Sequence, residues 1–271
     1  MSGASREARA SARERLDALA DNTSVDAAKL ADELAAVTAL LDREVSLRRV
    51  LTDPAQTGEA KAELARRLIG GQVSGETADL VAGMVRDRWS RSRDLVDALE
   101  ELAAGADLVA AERAGVLDDV EDELFRFGRI VGSTPELRAA LADKVAGRAA
   151  KTGLVGELLG GRANPVTERL VVRLVAHPRG RSLEAGLVAL SKLAADRRDR
   201  MVAVVTSAVP LSEAQKQRLG DALAKLYGRR VHLNMDIDPE VLGGVQVRIG
   251  DEIINGSIAD RLAEAERRMA G

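Results

Sequence analysis

The chain has 271 residues, and its 40 basic and 43 acidic side chains leave a formal net charge of −3, so it offers no general attraction to nucleic acid or to an anionic membrane. Cysteine is absent, which excludes disulfides, thiolate catalysis and Cys-ligated metal and fits a reducing compartment. No apolar run approaches the ~20 residues of a membrane span, and Met1-Ser2-Gly3-Ala4-Ser5-Arg6 lacks the apolar core of a signal peptide; the expectation is a soluble, cytoplasmic protein that meets a membrane only through partners. The aromatic residues are Trp89, Phe125, Phe127 and Tyr227, so cores must come from Leu, Val, Ile and Ala, which suits closely packed helices.

In chain order, helices are predicted near 4–20, 58–69, 75–88 and 92–104. Between the first two, Leu34, Val37, Leu40 and Leu41 recur at the spacing of one helical face. Ser74 can cap the helix that follows it, and Gly70-Gly71 stops the one before. The pattern then begins again. Shifted by 90, residues 32–85 fall on 122–175 with 17 identities in 54 positions and no gap. Asp32-Glu33-Leu34 matches Asp122-Glu123-Leu124, Gly70-Gly71 matches Gly160-Gly161, and Thr77, Leu80, Val81 and Val85 match Thr167, Leu170, Val171 and Val175. That density at one register is an internal duplication.

The second copy is predicted to have helices near 106–119, 148–159, 165–176 and 182–197, with Leu124, Phe127, Ile130 and Val131 as its matching stripe. Asn164 before Pro165 repeats the cap. The predicted fold class is mostly α: two tandem antiparallel helical bundles of about six helices each, then a small α+β domain. Boundaries are set at 1–105, 106–198 and 199–271. Because each copy carries its own core positions, the two bundles are expected to fold separately and to divide their partners.

The last domain opens with an apolar strand, Met201–Thr206. Ser212 and Gln215 form a capping box for a helix whose Leu219, Ala222, Leu223 and Leu226 are expected to face one way, ended by Gly228. Val231, Leu233, Met235 and Ile237 alternate with polar residues, as do Val245, Val247 and Ile249, which marks half-buried strands. Asp238-Pro239 breaks the first, Gly243-Gly244 lets the backbone turn, and Gly250-Asp251-Glu252 leads into a short strand at Ile253-Ile254. Ser257 can cap a closing helix carrying Ile258, Leu262, Ala265 and Met269 on one face.

Groupings that carry chemistry are missing. His177 and His232 lie in different predicted domains and read as surface residues. The Gly pairs lack the Gly-x-x-x-x-Gly-Lys-Ser/Thr pattern of a phosphate loop. Arg86-Asp87-Arg88-Trp89-Ser90-Arg91-Ser92-Arg93 could grip nucleic acid through cations around an aromatic, but the balanced charge favours a solvated helix end. Asp118-Asp119 and Glu121-Asp122-Glu123 read as a polar helix face. No catalytic, cofactor-binding or metal-ligating residue is assigned, and no cofactor is expected.

The C-terminal block resembles the signature of the delta subunit family of rotary ATP synthases, whose mitochondrial members are called the oligomycin-sensitivity-conferring protein. The matching positions are Ile237, Asp238, Gly243, Gly244, Val247, Arg248, Gly250, Asp251, Gly256, Ser257, Arg261 and Leu262. Pro210-Leu211-Ser212-Glu213 and Gln215 are similar to the family's approach to the preceding helix, and Gly180-Arg181 to a turn common after its fifth helix. Asn255 replaces a more usual Asp, and Arg9-Ala10-Ser11-Ala12-Arg13 lacks the Tyr of an Arg-Tyr-Ala-like motif. The family has one helical bundle, so this chain resembles it with that bundle duplicated.

The resemblance implies a non-catalytic stator subunit, peripheral on the cytoplasmic side of the cell membrane. It implies two partners: N-terminal helices of the alpha subunits on the bundle, and the C-terminal region of the b subunit on the last domain. Neither nucleic acid binding nor membrane insertion is expected. Leu80 and Met84, with their equivalents Leu170 and Leu174, mark the helices taken as candidates for partner binding. The alternative reading is a helical-repeat adaptor unrelated to ATP synthase.

Overall fold

The structure, a computed structural model, describes residues 3–143, 145–199, 201–228, 231–239, 244–249 and 252–255. The chain divides into two compact units, Met1–Arg198 and Asp199–Gly271. The first unit runs α1 (Gly3–Asp21), α2 (Ala27–Arg43), α3 (Val45–Leu51), α4 (Gly58–Ile69), α5 (Gly75–Arg86), α6 (Ser92–Arg113), α7 (Leu117–Ser133), α8 (Pro135–Ala142), α9 (Arg148–Leu159), α10 (Pro165–Ala176) and α11 (Leu183–Arg198). Local chemistry sets the ends as expected. Ser74 accepts from the Thr77 N–H at the start of α5, Asn164 accepts from the Val166 N–H at the start of α10, and Gly70 and Gly160 close α4 and α9.

Two helices predicted near 92–104 and 106–119 correct to a different arrangement, because α6 runs unbroken from Ser92 to Arg113. Gly105 is not a break. A Cβ there would meet Leu16 Cδ2 at 2.8 Å, so the glycine lets α1 lie close against α6. On the 90-residue offset α1 corresponds to α6, and α6 to α11. The packing agrees: α6 lies against α1 and α2 in the first copy, and α11 lies against α6 and α7 in the second. One helix is therefore the sixth of copy one and the first of copy two.

Its residues divide between two cores. Leu95, Val96, Leu99, Leu102 and Ala106 join Leu34, Leu41, Val81, Met84 and Trp89. Ala104, Leu108 and Ala111 join Leu124, Phe127, Val131, Leu170, Val171 and Leu187. The boundary set at 105 falls inside this helix. Along α7 the apolar stripe is Leu124, Phe127 and Val131; Ile130 lies off it and is 52% exposed, since at about 100° per residue it falls well round the helix from Leu124 and Val131, beyond the Phe127 edge of the stripe.

The second unit holds β1 (Met201–Ser207), α12 (Glu213–Tyr227), β2 (Val231–Ile237), β3 (Val245–Ile249) and β4 (Glu252–Asn255). The sheet order is β2-β1-β3-β4, with β1 parallel to β2 and antiparallel to β3, and β3 antiparallel to β4. The parallel pair needs a crossover, which α12 supplies, and the Ser212–Gln215 capping box starts it. Ala203, Val205, Leu223, Val247 and Ile249 form the core, with Leu219 and Tyr227 packed against it. The inward stripe of α12 is thus buried Leu223 with half-buried Leu219 and Tyr227. Ala222 and Leu226, expected inward, are exposed, because a single sheet face covers a narrower strip of helix than a bundle does. The closing helix expected after Ser257 lies outside the described residues.

Candidate partner-binding surfaces

The side chains that marked α5 and α10 as candidates all point inward. Leu80, Met84, Leu170 and Leu174 are 3%, 0%, 2% and 6% exposed. They hold the two helices in their bundles, and what α5 turns to solvent is Glu76, Asp79 and Arg86. Exposed large apolar side chains lie elsewhere: Val45, Val50 and Leu68 in copy one, Phe125, Ile130 and Val188 in copy two, and Leu226, Ile237 and Ile253 in the second unit.

The duplication extends to polar chemistry that the sequence reading did not assign. Glu33 on α2 accepts from the Ser74 N–H at 3.0 Å, the Ser74 hydroxyl at 2.7 Å and the Thr77 hydroxyl at 2.5 Å. Ninety residues on, Glu123 on α7 accepts from the Asn164 N–H at 2.9 Å and the Thr167 hydroxyl at 2.5 Å. Glu123, placed on a polar face with Glu121 and Asp122, is corrected: it clasps the first turn of α10. Each carboxylate satisfies N-terminal donors that the helix itself cannot and favours the positive end of the dipole. The identities at Glu33/Glu123 and Thr77/Thr167 were the signal for this pair.

Burial opposes the charge on Glu33, but hydrogen bonds from Thr77 and Ser74 outweigh it and hold the carboxyl below its ordinary value of 4.5. Glu33→Gln is expected to cost about 1–3 kcal/mol at neutral pH. With the folded value lowered, this stabilisation is complete above the unfolded value and is lost as pH falls through the folded one. Urea unfolding of wild type and variant should therefore converge in acid. A difference that persists unchanged to about pH 3 would sink the assignment.

On α6, Asp107 is fully buried and accepts from Arg169 Nε at 2.7 Å and Arg173 Nη1 at 2.5 Å, both on α10. Burial pushes its carboxyl up, with Arg173 and Arg169 opposing. Trp89, in the run read as a solvated helix end, is instead 7% exposed in the first core and donates to the Met84 carbonyl at 2.7 Å. With so little of the residue exposed, the Arg86–Arg93 run lacks an aromatic centre on which a base could stack.

Among the described residues no group of three or more His, Asp or Glu side chains could hold a metal ion. His177, read as a surface residue, is half-buried, and burial together with Arg148 and Arg179 lowers its pKa below the ordinary 6.5. It sits at the C-cap of α10, and His232 lies on β2. An open depression of about 450 Å³ between α3 and the turn before α6 is lined by Arg49, Val50, Asp53, Trp89 and Ser92 among others. No helix among the described residues is long and apolar enough to cross a membrane.

Of the signature positions, Ile237 ends β2 and is 54% exposed, and the Asp238 N–H donates to the Ser207 carbonyl at 3.1 Å, where β1 and β2 end together. Gly244 has φ +84, a conformation that favours glycine. Val247 is buried against Val205, and Arg248 beside it points out. Gly243, Gly250, Asp251, Gly256, Ser257, Arg261 and Leu262 lie outside the described residues.

The sequence profile of the ATP synthase delta (OSCP) subunit family matches residues 103–269. A chain from Streptomyces griseus named ATP synthase subunit delta is 76% identical over 271 residues, covering all of both chains. One of the same name from Thermobifida fusca is 49% identical over 271 residues, again covering all of both. Among solved structures, a chain of the Toxoplasma gondii mitochondrial ATP synthase hexamer is similar over 62% of this chain and 97% of its own, at 18% identity and a TM-score of 0.27. With the matched profile spanning the second half of α6, α7–α11 and the second unit as far as residue 269, the chain belongs to the ATP synthase delta (OSCP) subunit family.

Proposed function

We propose that this delta-family chain is a non-catalytic stator component of a rotary, proton-translocating ATP synthase, joining the alpha/beta head to the b-subunit stalk. The observation that carries the reading is full-length similarity to chains named ATP synthase subunit delta. While the rotor turns, the head must be kept from turning with it, and that requires binding rather than chemistry. In this role the helical unit takes amphipathic N-terminal helices of the alpha subunits, and the second unit takes the C-terminal region of b. Each is a helix-in-groove contact. Nanomolar attachment needs about 12 kcal/mol, within reach of two such interfaces. The complex is then peripheral to the cytoplasmic face of the membrane.

Copy two holds the usual position on the head, and copy one is an added clamp on the head's side or along the stalk. The profile match supports this division, because it starts at residue 103, inside the helix that opens copy two. The test is isolation of the tagged full chain from cells that make it. Alpha, beta and b subunits are expected to co-purify, and calorimetry of the isolated chain with ATP should show no saturable heat at micromolar nucleotide. Absence of alpha and beta from the eluate would favour an unrelated helical adaptor, and micromolar nucleotide binding would overturn the non-catalytic assignment.

A further inference from the structure

Three arginines of copy two each reach carboxylates on two helices, the shared helix α6 and a helix that belongs to copy one alone. Arg173, on α10, donates to Asp107 of α6 at 2.5 Å and to Asp32 of α2 at 2.6 Å. Arg197, on α11, donates to Glu112 of α6 at 2.8 Å and to Asp17 of α1 at 3.2 Å. Arg179, in the turn between α10 and α11, lies 3.8 Å from Glu100 and 3.9 Å from Asp97 of α6, and 3.8 Å from Asp42 at the end of α2. Its side chain is 4% exposed, it donates to the Val96 carbonyl at 3.2 Å, and its backbone takes φ +50, which costs a non-glycine residue energy that its contacts must offset.

This arrangement is not inherited from the repeat. Ninety residues before Arg173, Arg179 and Arg197 stand Gly83, Trp89 and Asp107, none of them a cation. Ninety residues after Asp17, Asp32 and Asp42 stand Asp107, Asp122 and Gly132, so the acidic set is not repeated whole either. The two copies diverge in charge at all three arginine positions. Buried or half-buried arginine with two carboxylates fixes geometry in a way that an exposed pair does not.

The geometry points to an arginine clamp: Arg173, Arg179 and Arg197 join the two copies into one cooperative unit without a hinge, each by bridging α6 to α1 or α2. The expectation of two separately folded bundles is replaced by one transition for the whole of Met1–Arg198. Under the proposed function, the surfaces of copy one and copy two within Met1–Arg198 are then held at a fixed separation.

The aromatic residues provide the probes. Trp89, the single tryptophan, reports copy one, and fluorophenylalanine placed at Phe125 and Phe127, the two phenylalanines, reports copy two. Thermal unfolding of the full chain, followed by tryptophan emission and by 19F NMR, should give coincident midpoints. The variant Asp17→Ala, Asp32→Ala and Asp42→Ala removes the copy-one end of every bridge and leaves each arginine its α6 carboxylate. Its two midpoints should separate by about 5 °C or more. A control with the same charge change on exposed residues (Glu7→Gln, Glu14→Gln and Glu63→Gln) should keep them together. Separate midpoints in the wild type would overturn the proposal. Coincident midpoints in the clamp variant, whatever their value, would place the coupling in α6 alone and overturn it equally.

Discussion

Replacing Arg169 and Arg173 together with methionine should cost about 3–5 kcal/mol at neutral pH, because Asp107 would stay buried and charged with no counter-ion. The aspartate is 0% exposed, and both arginines bond it directly. Methionine keeps most of the side-chain volume, so the loss reports the charge rather than a cavity. In a unit of this size each kcal/mol moves the midpoint by about 2–4 °C, so the melting temperature should fall on the order of 10 °C. The pH dependence identifies the cause. Burial already pushes the Asp107 carboxyl above its ordinary 3.8 against the pull of Arg173 and Arg169, and removing them leaves burial unopposed. A carboxyl whose folded value is raised favours the fold only while protonated, so it loses that favour as pH rises through the folded value. The deficit of the variant should therefore be largest near neutrality and shrink in acid. Denaturant unfolding at several pH values measures this; a loss below about 1 kcal/mol, or one that does not vary with pH, would show that Asp107 does not depend on the pair.

Gly244→Val should destabilise the second unit by about 1–3 kcal/mol while leaving the helical unit intact. The φ of +84 at Gly244 is strained for any side chain and worst for a β-branched one. Val245, the next residue, begins β3, which pairs with the central strand β1, so strain there acts on the sheet's interior. Tyr227, the single tyrosine, packs on this core and Trp89 on the other. Near-ultraviolet spectra should show an earlier loss of the tyrosine signal with the tryptophan transition unchanged. Under the proposed function, affinity for the b subunit should fall in the same variant. Unaltered melting together with unaltered b-subunit affinity would remove the argument.

Much of the fold was legible because it depends on neighbours in sequence. Ser74, Asn164 and Ser212 cap helices through donors two or three residues away, Gly70, Gly160 and Gly228 close them, and period-two alternation places β2 and β3. The need for glycine at 244 was readable from its place between two alternating segments. What misled were positions where an ordinary local meaning met an unusual neighbour. Gly105 reads as a break, yet it is a notch for Leu16. Leu80, Met84, Leu170 and Leu174 mark candidate partner-binding helices, and the chain's own cores fill against these side chains themselves. Leu226 reads as inward, and the sheet is too narrow to cover it.

By itself, then, the sequence determined the duplication, the run of capped helices, the strand pattern of the second unit and the family, since each is written in residue identities at short or regular spacing. Only the tertiary structure decided that one helix serves both copies, that Glu33 and Glu123 clasp equivalent helix starts, and that three arginines tie copy two to copy one. Those contacts join residues 41 to 180 positions apart, and which carboxylate an arginine meets at such separations depends on how whole helices pack, which no local pattern encodes.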